Sequence, residues 1–332
     1  MSNPTTQKES EEGPPMKLAR EVLQGNVKAA ARLIRCVEDE LPGAIEELKT
    51  LYPHTGKAYI IGITGSPGSG KSSLADVLID AFRKRGKTVG VVAVDPSSPF
   101  SGGAILGDRI RMQRHATDDG VFIRSLASRG CHGGLSRATA DVIHIMDAMG
   151  KDIILVETVG AGQAEVDIID FAHTSIVILV PGTGDWVQTL KAGIMEIADI
   201  FVVNKADKDG ADALKVELQT MLHMNAYSSE AWKPKIFLTE AINNKGIDEL
   251  VEGIYQHREF LVATGKYDAY LREKGKLELI EVIRSSLMDH VLRLANRDSY
   301  LDKLVDDLAS KKTDPYSAAA NIIDRLMQEG KP

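Results

Sequence analysis

Gly65, Ser66, Pro67, Gly68, Ser69, Gly70, Lys71 and Ser72 follow one another in the pattern GxxxxGK[ST], which cradles the phosphates of a nucleotide. The glycines let backbone N–H groups turn toward phosphate oxygens, and a helix starting directly after them adds a favourable dipole. Lys71 is spaced to reach the β and γ phosphates, Ser72 to give its hydroxyl to Mg²⁺, and Ser73 to meet the α-phosphate. A divalent cation also needs carboxylates. Val94-Asp95 and Val156-Glu157 end apolar runs, so both acids are expected at the sheet edge that carries the phosphate loop. Mg²⁺ keeps several waters and phosphate oxygens, so one or two of Asp95, Asp108 and Glu157 suffice, with Glu157 ranked first.

Asn204-Lys205-Ala206-Asp207 closes the apolar run Ile200–Val203 with the form NKxD. The Asp207 carboxylate can accept from both N1–H and the 2-amino group of guanine. Adenine would offer it an acceptor instead, and buried mismatches of that kind discriminate strongly. Lys205 is expected to lie along the ring and Asn204 to tie this loop to the phosphate loop. Thr239-Glu240-Ala241-Ile242 ends a further run, and a backbone N–H near Ala241 is placed to serve guanine O6. These residues together specify GTP and GDP with Mg²⁺.

The elements that must hold these loops are legible in the hydrophobic pattern. Strands are predicted at Tyr59–Thr64, Thr88–Val94, Val121–Ser125, Ile153–Thr158, Ser175–Val180, Ile200–Asn204 and Lys235–Thr239, alternating with amphipathic stretches such as Leu74–Phe82. Several are apolar on both faces, as in a sheet covered on both sides. The fold class is therefore α/β: a doubly wound, mainly parallel sheet of the P-loop NTPase kind. Helical spacing before it, from Lys17 to Lys49, ends near Tyr52-Pro53. After Gly265 three helical segments follow, one carrying Ile280, Ile283, Leu287, Val291 and Leu294 on a stripe, the last opening on Asp314-Pro315 ahead of Ile322, Ile323, Leu326 and Met327. The expected organisation is a disordered tail over 1–16, a helical segment over 17–56, a GTPase domain over 57–263 and a helical arm over 264–332 that dimerises.

Composition limits the alternatives. The 332 residues are 43% hydrophobic, enough for a large core, and 40 basic against 47 acidic side chains leave a net charge of −7. That balance argues against nucleic acid as the main partner. The polar start MSNPTTQKESEEGPP lacks the form of a signal peptide, and no apolar run approaches bilayer length. Cys36 and Cys131 form no paired motif, so a reducing, cytoplasmic setting is expected.

Asp95–Arg111 and Glu157–Glu165 are Gly-rich stretches at strand ends, suited to sense a γ-phosphate. With them on the page, VDPSSPFSGGAILGDRIRM, VETVGAGQ, PGTGDWVQTLKAGIMEIAD and NKAD resemble the GTPases that chaperone cobalamin-dependent acyl-CoA mutases, the methylmalonyl-CoA mutase-associated family, whose older labels were arginine/ornithine transport proteins or kinases. The resemblance runs from the helical lead-in to the end of the chain and is strongest over residues 60 to 250. It implies a homodimer that docks on a mutase, gates delivery of adenosylcobalamin and removes damaged cofactor. It also implies an extra switch at Gly182–Gly193 that contacts the partner, and Gln188 and Lys191 match that loop.

Four positions depart from the family's pattern. Glu240-Ala241 stands where Ser-Ala is usual, Trp186 where an acid is usual, and Cys131-His132 interrupts a loop that is more often apolar. Ala161 occupies the place where small GTPases hold their water-orienting glutamine, and the nearest amide is Gln163. Slow intrinsic hydrolysis, accelerated by a partner through Gln163 and Lys191, is the expectation. A nickel- or cobalt-inserting GTPase would need a Cys/His cluster, for which Cys131-His132 is thin. A P-loop kinase would ordinarily lack the guanine reader, and a non-hydrolysing scaffold would not need Lys71 and Ser72.

Overall fold

The computed structural model describes residues 17–95, 113–127, 134–158, 171–182, 197–224, 231–295 and 300–329. The expected tail over 1–16 lies outside them. The chain divides into two compact units, Met1–Leu271 and Arg272–Pro332.

Seven strands build the first unit: β1 (Tyr59–Gly65), β2 (Val89–Asp95), β3 (Val121–Ala127), β4 (Ile153–Thr158), β5 (Thr174–Leu179), β6 (Ile200–Asn204) and β7 (Lys235–Thr239). All are parallel, in the order β3-β2-β4-β1-β5-β6-β7. Sequence patterning located every strand; β1, β2 and β3 end one or two residues later than expected, β2 also starts one later, and β5 starts and ends one residue earlier. The order puts β1 at the centre, between β4 and β5, so the chain leaves β1 toward one edge and later fills the other. A phosphate loop at the C-terminal end of β1 is thereby flanked by the ends of β4, β5 and β6.

Alternation along the strands sends side chains to two cores. Ile61 and Ile63 share one face with Leu155, Ile176 and Val202, under α4 (Lys71–Lys84) and a helix over Ile247–Ala263. Ile60, Val92, Ile154 and Val156 face the other way, toward a helix over Gly134–Ala148 and the N-terminal helices α1 (Leu18–Leu23), α2 (Val27–Glu38) and α3 (Ala44–Leu51). Complete burial of one such isoleucine contributes about 2 kcal/mol, which both layers of β1 collect. In chain order the helix over Gly134–Ala148 is α5, that over Ala211–Met224 is α6 and that over Ile247–Ala263 is α7.

The helical lead-in divides into three helices. Gly25-Asn26 breaks it first: Gly25 has φ +80°, and Asn26 Oδ1 caps α2 by accepting from the N–H groups of Lys28 (3.0 Å) and Ala29 (3.1 Å). A second break at Leu41–Gly43 is followed by α3 and a 3₁₀ turn at Tyr52–His54. Entry into β1 is fixed by Asp147 of α5, whose carboxylate accepts from the N–H groups of Gly56 (2.6 Å) and Ala58 (3.0 Å). The first turns of α8 (Lys266–Ala295) close this unit, with Tyr267 and Tyr270 against His173.

The second unit holds the rest of α8 with α9 (Tyr300–Ala309) and α10 (Pro315–Glu329). Asp314 caps α10, accepting from the N–H groups of Tyr316 (2.9 Å) and Ser317 (3.0 Å). Ile280, Ile283 and Leu287 of the expected stripe remain exposed, and the Leu294 side chain lies outside the described residues. Among the described residues, no helix is long and apolar enough to cross a membrane.

Candidate nucleotide site

Gly65 ends β1 with φ +147°, and a Cβ there would overlap the Ile178 carbonyl oxygen on β5. Only glycine lets the two strands stay paired where the loop departs. Gly70, at φ +92°, is the residue before α4, and a Cβ on it would overlap the Asn204 side chain. Between them the loop tip at Pro67 and Gly68 is exposed, whereas Ser66, Ser69, Lys71 and Ser72 are buried and Ser73 is half-buried. The Lys71 ammonium donates to the carbonyls of Gly65 (2.6 Å) and Ser66 (3.2 Å), so it sits within the curve of the loop. Ser69 Oγ is buried with no hydrogen-bond partner among the described residues. A loop built this way directs the N–H groups at the head of α4 and one cation toward the same point, an arrangement that suits phosphate.

Ser72 and Glu157 meet beside that point. The hydroxyl donates to Glu157 Oε1 at 2.6 Å, and Glu157 is fully buried on β4, in register with Ile63 of β1 and Ala93 of β2. The pair is hard, all-oxygen and compact, which fits Mg²⁺ with its few protein ligands and retained waters. Asp95 ends β2, one residue past the Val94–Thr158 pairing, and its side chain lies outside the described residues; Asp108 lies outside them altogether. Among the described residues, no three His, Cys, Asp or Glu side chains gather as a metal site.

The end of β6 joins the phosphate loop to the end of β7. Asn204 Nδ2 donates to the Ser69 carbonyl at 2.9 Å, while Asn204 Oδ1 accepts from Thr239 Oγ1 (3.1 Å) and from the Ala241 N–H (3.3 Å). Lys205 adopts φ +57°, which costs a non-glycine residue about 1–2 kcal/mol, and its ammonium reaches the Gly68 carbonyl at 2.8 Å. The lysine stem is thus stretched beside the loop tip, leaving Asp207 exposed at the rim. Across from it Ile242 is 88% exposed while Ala241 is buried. Asn204 and Lys205 thus tie the 205–207 segment, the 240–242 turn and the phosphate loop to one another.

Comparisons with known proteins show the family. Residues 30–296 match the family model described as "Methylmalonyl Co-A mutase-associated GTPase MeaB". The chain belongs to the MeaB family of GTPases. A protein of Pyrococcus abyssi named as a GTPase is 48% identical over 316 residues, covering 95% of this chain and 97% of that one. The mouse protein named "Methylmalonic aciduria type A homolog, mitochondrial" is 34% identical over 233 residues, covering 69% of this chain and 56% of that one. The crystal structure titled "LAO/AO transport system kinase" superposes with a TM-score of 0.69 at 24% identity over 94% of this chain and 97% of that one, a likeness of fold. A MeaB-family GTPase binds guanine nucleotide.

Several residues expected to act in this GTPase lie outside the described residues: Gln163, Gln188, Lys191, Trp186, Cys131 and His132, with most of both Gly-rich switch stretches. Two arrangements escaped the sequence. In the base turn, the Glu240 carboxylate accepts from Asn243 Nδ2 (2.9 Å) and pairs with the Lys245 ammonium (2.9 Å), which together hold its pKa below the ordinary carboxylate value. The Glu240 side chain is committed to its own turn, so the expected base contact there is left to the backbone.

The second arrangement lies at the opposite end of the sheet. Tyr59 Oη and Thr174 Oγ1 are 2.5 Å apart, Thr174 Oγ1 and His257 Nδ1 2.8 Å, and His257 Nε2 and Asp199 Oδ1 3.3 Å. Asp199 Oδ2 accepts from the Ser175 N–H (2.8 Å), Trp232 covers the His257 ring, and the Arg258 guanidinium lies over Tyr59. Burial raises Asp199 to about 7 and lowers His257 to about 4, each toward its uncharged form, and raises Tyr59 as well. No periodicity or motif marks these residues; only the sheet order brings them together.

Proposed function

We propose that this MeaB-family GTPase is a chaperone that docks on an adenosylcobalamin-dependent acyl-CoA mutase and uses GTP binding and hydrolysis to gate loading, protection and reactivation of the mutase's cofactor. The observation that carries the reading is the junction at Asn204, which ties an NKxD loop to a GxxxxGKS loop, in a chain whose family is defined by association with methylmalonyl-CoA mutase. The mouse relative's name, which refers to methylmalonic aciduria, supports the same partner class.

In this reading Gly65–Ser73 hold the phosphates, Lys71 exchanges its carbonyl partners for β and γ oxygens, and Asp207 reads the base edge. The Ala241 N–H, now turned to Asn204 Oδ1, serves the 6-oxo group, with Glu240 and Ile242 framing the turn. Ser72 and Glu157, joined by Asp95 or Asp108, would hold Mg²⁺, which would supply charge neutralisation at the phosphates. The Ser72 oxygen can do so through a lone pair while its O–H stays on Glu157 Oε1. Gln163, Gln188 and Lys191 are assigned to the slow, partner-stimulated hydrolytic step.

We further infer a cytoplasmic homodimer joined through the C-terminal arm, supported by the exposed Ile280, Ile283, Leu287 and Met288 on α8. The organisation into a GTPase domain over 57–263 with flanking helical segments over 17–56 and 264–332 belongs to the same proposal.

Co-elution of the purified protein with methylmalonyl-CoA mutase, on a sizing column with GDP or a non-hydrolysable GTP analogue, tests the docking. The reading expects a complex whose strength depends on the nucleotide. Failure to associate in either state, with this and other cobalamin-dependent acyl-CoA mutases, would remove the chaperone claim.

A further inference from the structure

The turn after β7 is closed through both its backbone and its side chains. Glu240 and Lys245 pair through both backbones, N–H of Glu240 to the Lys245 carbonyl (3.1 Å) and N–H of Lys245 to the Glu240 carbonyl (3.2 Å). Their side chains repeat the link, and Asn243 adds its amide to the same carboxylate. Gly246 then turns the chain into α7 at φ +72°, where any Cβ would overlap the Leu238 carbonyl oxygen. Ala241, directly after Glu240, is held through its N–H by Asn204, the residue that opens the NKxD loop. A carboxylate is therefore fixed one residue from the N–H assigned to the base's 6-position, with only 16% of its side chain exposed.

A free carboxylate at that place has the wrong chemistry for guanine. The 6-oxo group of guanine is an acceptor and would be repelled, whereas the 6-amino group of adenine is a donor that a carboxylate would welcome. We propose that Lys245, with Asn243, is a specificity-determining positioning residue: it holds the Glu240 carboxylate within the turn and so keeps the 6-position favourable to a 6-oxopurine. The inference rests on the guanine reading of the site and names how that reading is protected. Lys245 does not touch the nucleotide; it acts through Glu240. Because the Lys245 side chain is 68% exposed, the clasp weakens as salt screens it, and guanine preference weakens with it.

The test is equilibrium binding of GTP, ITP and ATP to the wild-type chain and to Lys245→Met, Lys245→Arg, Glu240→Gln/Lys245→Met and, as a second removal of the cation, Lys245→Gln. For Lys245→Met and Lys245→Gln, the ratio of GTP to ATP affinity should fall roughly tenfold, the order expected for one mismatched buried polar contact. ITP shares the 6-oxo group and lacks the 2-amino group that Asp207 reads, so its affinity should fall by the same factor as that of GTP. Lys245→Arg should retain the wild-type ratio. The double variant should recover it, because a neutral amide can turn a donor toward the 6-oxo group. Parallel weakening of GTP and ATP, or a double variant no better than Lys245→Met, would overturn the proposal and leave the clasp a purely structural staple. A wild-type chain that binds ATP as tightly as GTP would instead remove the guanine reading itself.

Discussion

Asn204 Nδ2 lies 2.9 Å from the Ser69 carbonyl oxygen, so a single buried carboxamide on β6 fastens the phosphate loop of β1. The same group accepts from Thr239 Oγ1 and Ala241 N–H, which makes it the common anchor of three loops. Replacing it with alanine would leave a buried carbonyl, hydroxyl and N–H without their partner. We expect Asn204→Ala to lower stability by about 2–4 kcal/mol and GDP affinity by at least tenfold. Denaturant unfolding and fluorescent-GDP titration measure the two effects. Asn204→Asp keeps both acceptor bonds but sets an oxygen against the Ser69 carbonyl, so it should lose affinity while unfolding nearer to wild type.

The glycines of the phosphate loop should separate by what surrounds them. Gly68, at φ +75°, has open space where a Cβ would go, so Gly68→Ala should cost the nucleotide-free protein about 1 kcal/mol of backbone strain. Gly70 carries a comparable φ, and a Cβ there also meets Asn204. Gly70→Ala should cost clearly more, by thermal unfolding without nucleotide, and should weaken nucleotide binding because it displaces the anchor. Equal costs at the two positions would contradict the close packing of Gly70 on Asn204.

Mg²⁺ dependence should report on the Ser72–Glu157 pair. Glu157→Gln keeps the size of the side chain and an oxygen for Ser72 while removing the charge, so the Mg²⁺ concentration for half-maximal GTP hydrolysis should rise by tenfold or more. Affinity for GDP measured without Mg²⁺ should change little in comparison. A parallel loss in both would mean that Glu157 supports the loop and not the ion.

Asp199 and His257 predict opposite responses to pH. Asp199 keeps its proton up to about 7 in the folded chain and releases it near 4 when unfolded, so its contribution to stability falls as pH rises from about 4 to about 7. His257 stays neutral down to about 4 when folded and protonates near 6.5 when unfolded, so its contribution rises with pH over that window. In the wild-type chain the two slopes largely cancel between about 4 and 6.5. His257→Gln should expose the Asp199 limb, with stability falling toward neutral pH, and Asp199→Asn should expose the histidine limb, with stability rising. Each slope should stay below the one-proton value of about 1.4 kcal/mol per pH unit, and the Asp199 limb further below it because that side chain retains 31% exposure. Urea midpoints from pH 5 to 7 in the two variants would show whether the signs are opposite.

What could be read from the sequence follows physical scale. Ile60 to Ile63 and Ile153 to Val156 are apolar on both faces, and that alone marks buried parallel strands, so all seven were found within two residues. The GxxxxGKS and NKxD loops declare themselves because their residue types have few other uses together. The order of the strands has no local signature, and neither did the two breaks in the N-terminal helices, where Asn26 and Gly43 compete with continuing helical periodicity. Glu240 is legible as an acid in an unexpected place, but that Lys245 and Asn243 restrain it depends on the turn's closure. The Tyr59, Thr174, Asp199 and His257 cluster draws on β1, β5, the residue before β6 and α7, and emerges only when these are assembled.

The most direct test of the account is phosphate release from GTP and from ATP by the purified protein, alone and with a cobalamin-dependent acyl-CoA mutase. The account predicts slow release from GTP only, rising sharply when the mutase is added. Hydrolysis of ATP at a similar rate, or GTP turnover indifferent to every such mutase, would contradict it.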